Sequence, residues 1–347
     1  MEFIQSILAN ELIVAIILSL LPLFFIIIYA LIVLYTEMKV AAHIQDRVAY
    51  MRTGWHGVLQ PIADMVKLLQ KEDIIPAHAD KLLFRMAPFI AFIGTYAAYA
   101  VLPFSSIYIG SNINVGVFFL VAMGSLVVIG ILMAGWASNN KWSLFGGVRS
   151  AAQMVSYEIP TALAIIIVVM ITGSLNLQEI TKFQEGGIGH WIVFGGPLPW
   201  NQKLILMPFT FITFLIVFVA SIAEVNRTPF DLPEAESELV QGFNTEYSGM
   251  RFAMFYLSEY ANLFTVSAVV VALFLGGWSS PFGTLMSGPV WGIFWFVLKA
   301  YLFVFIQIWI RWTLPRLRVD QLMYVSWKVL TPWLFVCLLA VGFILVN

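Results

Sequence analysis

The sequence predicts an all-α, polytopic integral membrane protein with about eight transmembrane helices and one amphipathic helix at the membrane interface. Hydrophobic residues fill 61% of its 347 positions and charged residues only 11%, whereas soluble domains have roughly 45–50% apolar and 25% charged residues. Long uncharged runs, each near the ~20 residues that one crossing requires, alternate with polar connections. The 18 lysines and arginines are also divided unevenly among those connections.

The uncharged runs place the spans within a single membrane domain, residues 1–347. Two runs are too long for one crossing: the run from Met86 to Asn140 breaks near Pro103, and the run from Tyr260 to Leu298 breaks near Gly276. Each therefore holds parts of two helices. The predicted spans are 12–36, 82–103, 114–136, 157–177, 204–223, 259–277, 289–310 and 328–346.

Positive charge predicts the orientation of these spans. Most lysines and arginines lie in the odd-numbered connections, counted from the N-terminus, and the even ones hold only Lys182 and Lys203. Because basic connections stay in the cytoplasm, we expect the odd connections to be cytoplasmic and both termini periplasmic. No basic region or small-residue cleavage site precedes the first span, which is therefore expected to remain uncleaved.

Connection one contains the amphipathic helix, predicted at about residues 57–71. The apolar residues Val58, Ile62 and Met65 recur at helical spacing, and Asp64 and Lys67 fall on the opposite stripe. A helix of this pattern lies in the membrane interface with its apolar side toward lipid or protein. A simple membrane-surface anchor explains the periodicity equally well.

Acidic residues gather in connections three and five. Connection three ends at Glu158, where a span begins and the positive end of the helix dipole partly compensates the charge. Connection five, residues 224–258, is mostly acidic: Asp231 and Glu234 have capping-box spacing, and Glu234 and Glu238 form a like-charge pair on one face. Carboxyl groups crowded in this way share protons, as proton exchange near neutral pH requires. A solvated acidic turn is the alternative.

Several other kinds of chemistry are not indicated. The single Cys337 supplies neither an intrachain disulfide nor the thiolates of an iron–sulfur cluster, so any redox centre is expected on another chain. The histidines lack metal-ligand spacing, and no phosphate-binding loop or nucleophile elbow occurs. The net charge of −1 does not indicate nucleic acid. Lys299 lies inside a span, where an ammonium is costly and usually paired, and is a candidate relay or counter-ion.

Three segments carry a resemblance to the H-type membrane subunits of bacterial respiratory complex I, the proton-pumping NADH:quinone oxidoreductase, and to their mitochondrial counterpart. They are residues 60–67 (Gln-Pro-Ile-Ala-Asp-Met-Val-Lys), 156–158 (Ser-Tyr-Glu) and 227–238 (Arg-Thr-Pro-Phe-Asp-Leu-Pro-Glu-Ala-Glu-Ser-Glu). The resemblance extends over nearly the whole chain. Two departures concern connection one: Met38 follows Glu37 where the family usually has arginine, and residues 49–51 lack the family's usual Gly-Pro-Asn turn.

The resemblance implies a function and a set of site residues. Members of the family form the membrane end of the quinone chamber, and an acidic path leads from it toward antiporter-like subunits. The residues that match the acidic path are Glu158, Glu224, Glu234, Glu236, Glu238 and Glu259. The residues that match the chamber lining are Glu37, Asp64, Lys67, Trp136, Arg227 and Phe230.

The resemblance also implies substrate, partners and location. Quinone is the expected substrate, and no flavin, haem, iron–sulfur cluster or metal is expected on this chain. The expected partners are the iron–sulfur and quinone-site hydrophilic subunits on the cytoplasmic side, small and antiporter-like membrane subunits laterally, and the lipid of a bacterial inner membrane. Two alternatives remain: the equivalent subunit of a membrane-bound hydrogenase-type complex, and a stand-alone ion transporter. A transporter predicts internal repeats, and none is found in the sequence.

Overall fold

The structure, a computed structural model, describes residues 11–233, 235–283 and 285–346, without the side chains of residues 11–18, 236 and 237. This described part of the chain is helical and has no strand. Its helices are α1 (Glu11–Ile44), α2 (Gln60–Gln70), α3 (Lys81–Ala98), α4 (Gly116–Ala137), α5 (Lys141–Thr172), α6 (Leu177–Phe183), α7 (Trp200–Glu224), α8 (Glu236–Leu239), α9 (Gly249–Phe274), α10 (Pro289–Thr313) and α11 (Val319–Val346).

Eight of the helices in the described ranges are long and apolar enough to cross a membrane, namely all except α2, α6 and α8. The predicted fold class is therefore confirmed. The helix bounds differ most at α5, which begins at Lys141 and not at 157. The reason is a cap: the side chain of Asn140 accepts a hydrogen bond from the backbone N–H of Trp142 at 2.9 Å.

Pro160 lies inside α5 without ending it. A proline has no N–H, so the carbonyl of Ser156 loses its usual partner in the helix. The hydroxyl of Ser326 on α11 donates to this carbonyl at 2.6 Å. The helix therefore continues through the proline and is joined to α11 at the same point.

Two predicted helix starts differ from the structure. The amphipathic helix α2 begins at Gln60, after a short 3-10 turn at Trp55–Gly57. In connection five, the capping-box spacing of Asp231 and Glu234 indicates a helix that starts directly after Asp231, whereas α8 begins at Glu236. The carboxylate of Asp231 pairs with Arg316 of connection seven at 3.1 Å, and this ion pair takes the place of the predicted cap.

The connections collect at opposite ends of the helix bundle. At the odd-connection end, formed by connections one, three, five and seven, Asn140 donates to Glu246 at 2.6 Å and Arg251 pairs with Asp73 at 2.9 Å. At the even-connection end, Gln184 donates to the carbonyl of Ala272 at 3.0 Å. Polar contacts thus fix both ends, while the bundle between them packs mainly through apolar groups.

Lys299 lies at the even-connection end and caps a helix. Its ammonium donates to the carbonyls of Leu275, Gly277 and Ser279 at 2.8–2.9 Å, and lies 4.7 Å from the centre of the Trp191 ring. These carbonyls follow the C-terminus of α9, where the helix dipole is negative. Within the described residues, the partner of this half-buried amine is therefore a helix end and not an acidic side chain.

Close backbone approach holds α3 against α4. A Cβ added to Gly130 would lie 2.7 Å from the backbone nitrogen of Ala91, whereas a Cβ added to Gly124 would meet nothing within 4 Å. Because lipid is as apolar as the protein interior, packing of membrane helices depends on small residues of this kind.

We expect Gly130→Ala to force α3 and α4 apart and to lower stability by about 1–3 kcal/mol, the usual range for overpacking. The measurement is the thermal midpoint of the detergent-purified complex, with Gly124→Ala as the matched control. Equal midpoints for the two variants would contradict this expectation.

Candidate functional site

Four charged side chains meet at the odd-connection end and form a site that we call the ionic cluster: Glu37, Arg227, Glu259 and Arg311. Arg227 Nη1 lies 3.1 Å from Glu37 Oε1, and Arg227 Nε lies 2.8 Å from Glu259 Oε1. The second contact is an ion pair by distance, without hydrogen-bond alignment of the N–H. Arg311 pairs with the same oxygen of Glu37. Two anions and two cations balance, which offsets the cost of removing them from water.

Tyr260 completes the cluster. Its hydroxyl donates to Glu37 Oε2 at 2.6 Å, and the guanidinium of Arg227 lies 4.7 Å from the centre of its ring. Glu37 and Arg227 are each only 4% exposed. Burial disfavours a charged guanidinium, but the carboxylates of Glu259 and Glu37 outweigh it and raise the pKa of Arg227 well above its usual value. Arg227 therefore stays cationic.

The cluster draws on four distant parts of the chain. Glu37 lies near the C-terminus of α1, Glu259 in the first half of α9 and Arg311 in the last turn of α10. Arg227 lies in the turn after α7. The helix ends of connections one, five and seven are thereby joined at one point.

A second group of acids lines two small cavities. Glu158, Glu224 and Asn262 line cavity A, which has a volume of about 90 Å³. Glu224, Glu259 and Asn262 line cavity B, which has a volume of about 40 Å³. Because Glu224 and Asn262 belong to both walls, Glu224 connects the cavity lined by Glu158 with the cavity lined by Glu259. One water needs roughly 10–15 Å³ of such space and a ligand roughly 300–1,000 Å³, so these cavities suit water and not quinone.

The lining of cavity A changes from acidic to aliphatic side chains between its two ends. Its wall also includes Val117, Leu177 and Leu273, which lie near the even-connection ends of their helices α4, α6 and α9. The acids therefore occupy the part of the cavity toward the odd-connection end, and aliphatic side chains occupy the other part.

Helix α5 fixes the turn that joins the two sites. Thr161 contacts Glu224 at 2.7 Å. Gln153 Nε2 donates to the carbonyl of Ala223 at 2.8 Å and to Asn226 Oδ1 at 3.0 Å. The same short turn therefore carries Glu224 of the cavities and, three residues later, Arg227 of the ionic cluster.

The other predicted site residues lie outside these two groups, as far as the described residues show. Phe230 is buried against Tyr157, with ring centroids 5.4 Å apart. Glu238 is exposed and pairs with Arg149 at 2.7 Å. Trp136 is 69% exposed at the end of α4.

Asp64 and Lys67 form a pair of their own on α2. Their charged groups lie 3.7 Å apart, and both side chains are exposed, that of Lys67 by 73%. The predicted roles of Glu234 and of the Glu236 side chain fall outside the described residues. Among the predicted acids, the structure thus brings together Glu37 and Glu259 in the cluster, and Glu158, Glu224 and Glu259 along the cavities.

Fold and site together define a polytopic membrane protein that gathers a set of buried and half-buried ionisable groups at one end of the helix bundle. The family model described as NADH dehydrogenase matches residues 16–342. The chain therefore belongs to the NADH dehydrogenase family.

The curated relatives define the kind of family member. The chain is 52% identical to the NADH-quinone oxidoreductase H subunit of Chlorobium luteolum, over 91% of this chain and 85% of that protein. It is 50% identical to the protein of the same name from Chlorobaculum parvum, over 96% and 92% of the two chains, and 48% identical to that of Anaeromyxobacter dehalogenans, over 88% and 75%. The chain is a membrane subunit of complex I, and the hydrogenase-type and transporter alternatives are not favoured. Its partners are other complex I subunits.

Proposed function

We propose that this subunit closes the membrane side of a quinone chamber and couples quinone reduction to proton translocation through Glu158, Glu224 and Glu259. One observation carries the proposal: Glu259 belongs both to the ionic cluster and to the wall of cavity B. Charges a few ångströms apart interact by several kcal/mol when they are shielded from water. A change of charge at the cluster therefore acts directly on the row of acids.

The quinone head group is proposed to bind at the odd-connection end, beside the ionic cluster. Arg227 Nη2 is buried and has no hydrogen-bond partner among the described residues, so it is available to a quinone oxygen. The buried ring of Phe230 supplies apolar surface nearby, and Glu37 holds Arg227 in place. Asp64 and Lys67 on α2, together with Trp136, are proposed to line the entrance. Because cavities A and B are too small for quinone, partner subunits are proposed to complete the chamber.

Coupling follows from charge balance. Reduction of a quinone to a quinol takes up two electrons, which a partner's iron–sulfur cluster supplies, and two protons. The change of charge beside Arg227 alters the balance at Glu259, which exchanges a proton through the water of cavity B with Glu224. Glu224 exchanges in turn with Glu158 through cavity A. Glu234, Glu236 and Glu238 remain proposed members of this path in connection five.

The orientation and the partners are proposed on the same basis. The odd connections face the cytoplasm of a bacterium and both termini face the periplasm, because the basic residues are concentrated in the odd connections. The iron–sulfur and quinone-site hydrophilic subunits dock at the odd-connection end. Small and antiporter-like membrane subunits lie laterally and receive the protons or the conformational change.

Glu224→Gln tests the proposal. The amide keeps the shape of the side chain but cannot exchange a proton, and we expect proton-pumping NADH:quinone turnover to fall about a hundredfold, as for the loss of a general acid–base group. NADH oxidation by ferricyanide is expected to stay unchanged, because electrons reach it before the quinone. Glu179→Gln, an exposed acid at the even-connection end, is the matched control. Undiminished quinone-dependent pumping by Glu224→Gln would overturn the proposal.

A further inference from the structure

The hydroxyl of Thr161 has two acceptors for one hydrogen. Its Oγ1 lies 2.7 Å from Glu224 Oε1 and 3.0 Å from the backbone carbonyl of Tyr157. A hydroxyl donates a single hydrogen, and a carbonyl only accepts. When Glu224 is ionised, the hydrogen points to its carboxylate. When Glu224 is protonated, the carboxyl donates to Oγ1 and the hydroxyl donates to Tyr157.

We propose that Thr161 is a positioning residue for proton exchange at Glu224, because its hydroxyl turns between these two acceptors and holds the carboxyl in one place in both protonation states. The inference rests on the proposed function, in which Glu224 exchanges protons. The carboxyl group then needs no reorientation between taking up a proton and releasing it. Only a hydrogen moves, and the heavy atoms keep their positions.

The surroundings of Glu224 make this hydroxyl important. Thr161 and Glu224 both line cavity A. Among the described residues, the charged groups that share a cavity wall with Glu224 are Glu158 in cavity A and Glu259 in cavity B. Both are acids, so neither offers a cation to an ionised Glu224. The hydrogen bond that stabilises the carboxylate comes from Thr161.

The direction of the effect follows from the strength of the two bonds. A hydrogen bond to a charged acceptor is stronger than one between neutral groups. Removal of the hydroxyl therefore weakens the ionised form of Glu224 more than the protonated form. A higher pH is then needed to release the proton.

The test is Thr161→Val in the assembled complex in membrane vesicles, with NADH:quinone turnover and proton pumping measured against pH. Valine has a similar shape but no hydroxyl. We expect the acidic limb of the pH profile to move up by about one pH unit, the size of shift that the loss of one such bond produces. Thr161→Ser, which keeps the hydroxyl, is expected to restore the wild-type profile.

Thr172→Val is the matched control on the same helix. The hydroxyl of Thr172 donates to the backbone carbonyl of Val168 at 3.0 Å and contacts no acidic side chain within the described part of the chain. We expect Thr172→Val to leave the pH profile in place. If Thr161→Val only lowers the amount of complex and also leaves the pH profile in place, its role is structural and the inference is overturned. If Thr161→Val does not assemble, Thr161→Ala removes the same hydroxyl with less bulk and gives the same comparison.

A double variant separates this inference from the proposed function. In a Glu224→Gln background, Thr161→Val is expected to cause no further loss of pumping, because the two residues act together. If Glu224→Gln abolishes pumping while Thr161→Val keeps the wild-type pH profile, the inference about Thr161 is overturned and the proposed function stands. If Glu224→Gln pumps normally, the proposed function fails and this inference fails with it.

Discussion

Replacing Arg227 with methionine is expected to abolish quinone-dependent turnover and to destabilise the odd-connection end by about 3–5 kcal/mol, the usual cost of leaving a buried charge without its partner. Methionine fills similar space but leaves Arg311 as the one cation of the cluster at Glu37, and Glu259 without the cation that it contacts at 2.8 Å. The measurements are NADH:quinone turnover and the amount of assembled complex in membranes. NADH oxidation by ferricyanide in the remaining complex reports on the electron-input side.

Two further variants separate charge balance from the role of the guanidinium. Arg318→Met removes an exposed cation at the same end and is expected to change turnover little. In the double variant with Glu259→Gln, charge balance returns, so assembly is expected to recover while quinone turnover does not. An Arg227→Met variant that keeps near-normal turnover would show that the cluster is not needed for activity.

Asn262→Leu is expected to reduce proton-coupled turnover about a hundredfold, the lower end of the range for a lost proton-transfer step. Asn262 lines both cavities, and its amide offers both donors and acceptors to water. Leucine branches at the same position but is larger and binds no water, so water between Glu224 and Glu259 is expected to be excluded. The measurement is the rate of proton pumping in closed vesicles relative to the rate of NADH oxidation by ferricyanide.

Asn262→Ser is the control for this prediction. Serine keeps a polar group and leaves more room for water, so pumping is expected to stay near the wild-type level. Equal pumping rates for the leucine and serine variants would mean that proton transfer does not depend on water beside residue 262.

The membrane fold was predictable because the thickness of the bilayer's hydrocarbon core sets the length of each transmembrane helix. The uncharged runs give the spans, but their ends depend on local contacts that composition does not reveal. α5 extends back to Lys141 because one asparagine side chain caps it, and it passes Pro160 because Ser326 replaces the lost hydrogen bond. Both contacts depend on which side chains meet in three dimensions.

The site was predictable only in part, for a related reason. Glu37, Arg227 and Glu259 entered the prediction through a family resemblance, since residues so far apart in the chain form no local pattern. Arg311 was not among the predicted site residues, because a basic residue at the end of a span is explained by topology alone. Thr161 and Asn262 carry no charge and give no signal in an apolar helix. Only the folded structure shows that both side chains line cavity A.

The aliphatic end of cavity A bears on the insulation of the membrane. A membrane that maintains a protonmotive force must not contain a continuous chain of water and acidic groups, because protons would return across it through such a chain. The side chains of Val117, Leu177 and Leu273 offer no atom that binds a proton, and they form the part of the wall toward the even-connection end. Under the proposed function, protons that reach Glu158 therefore meet an aliphatic barrier toward the opposite face, so the energy of quinone reduction would be kept for proton pumping.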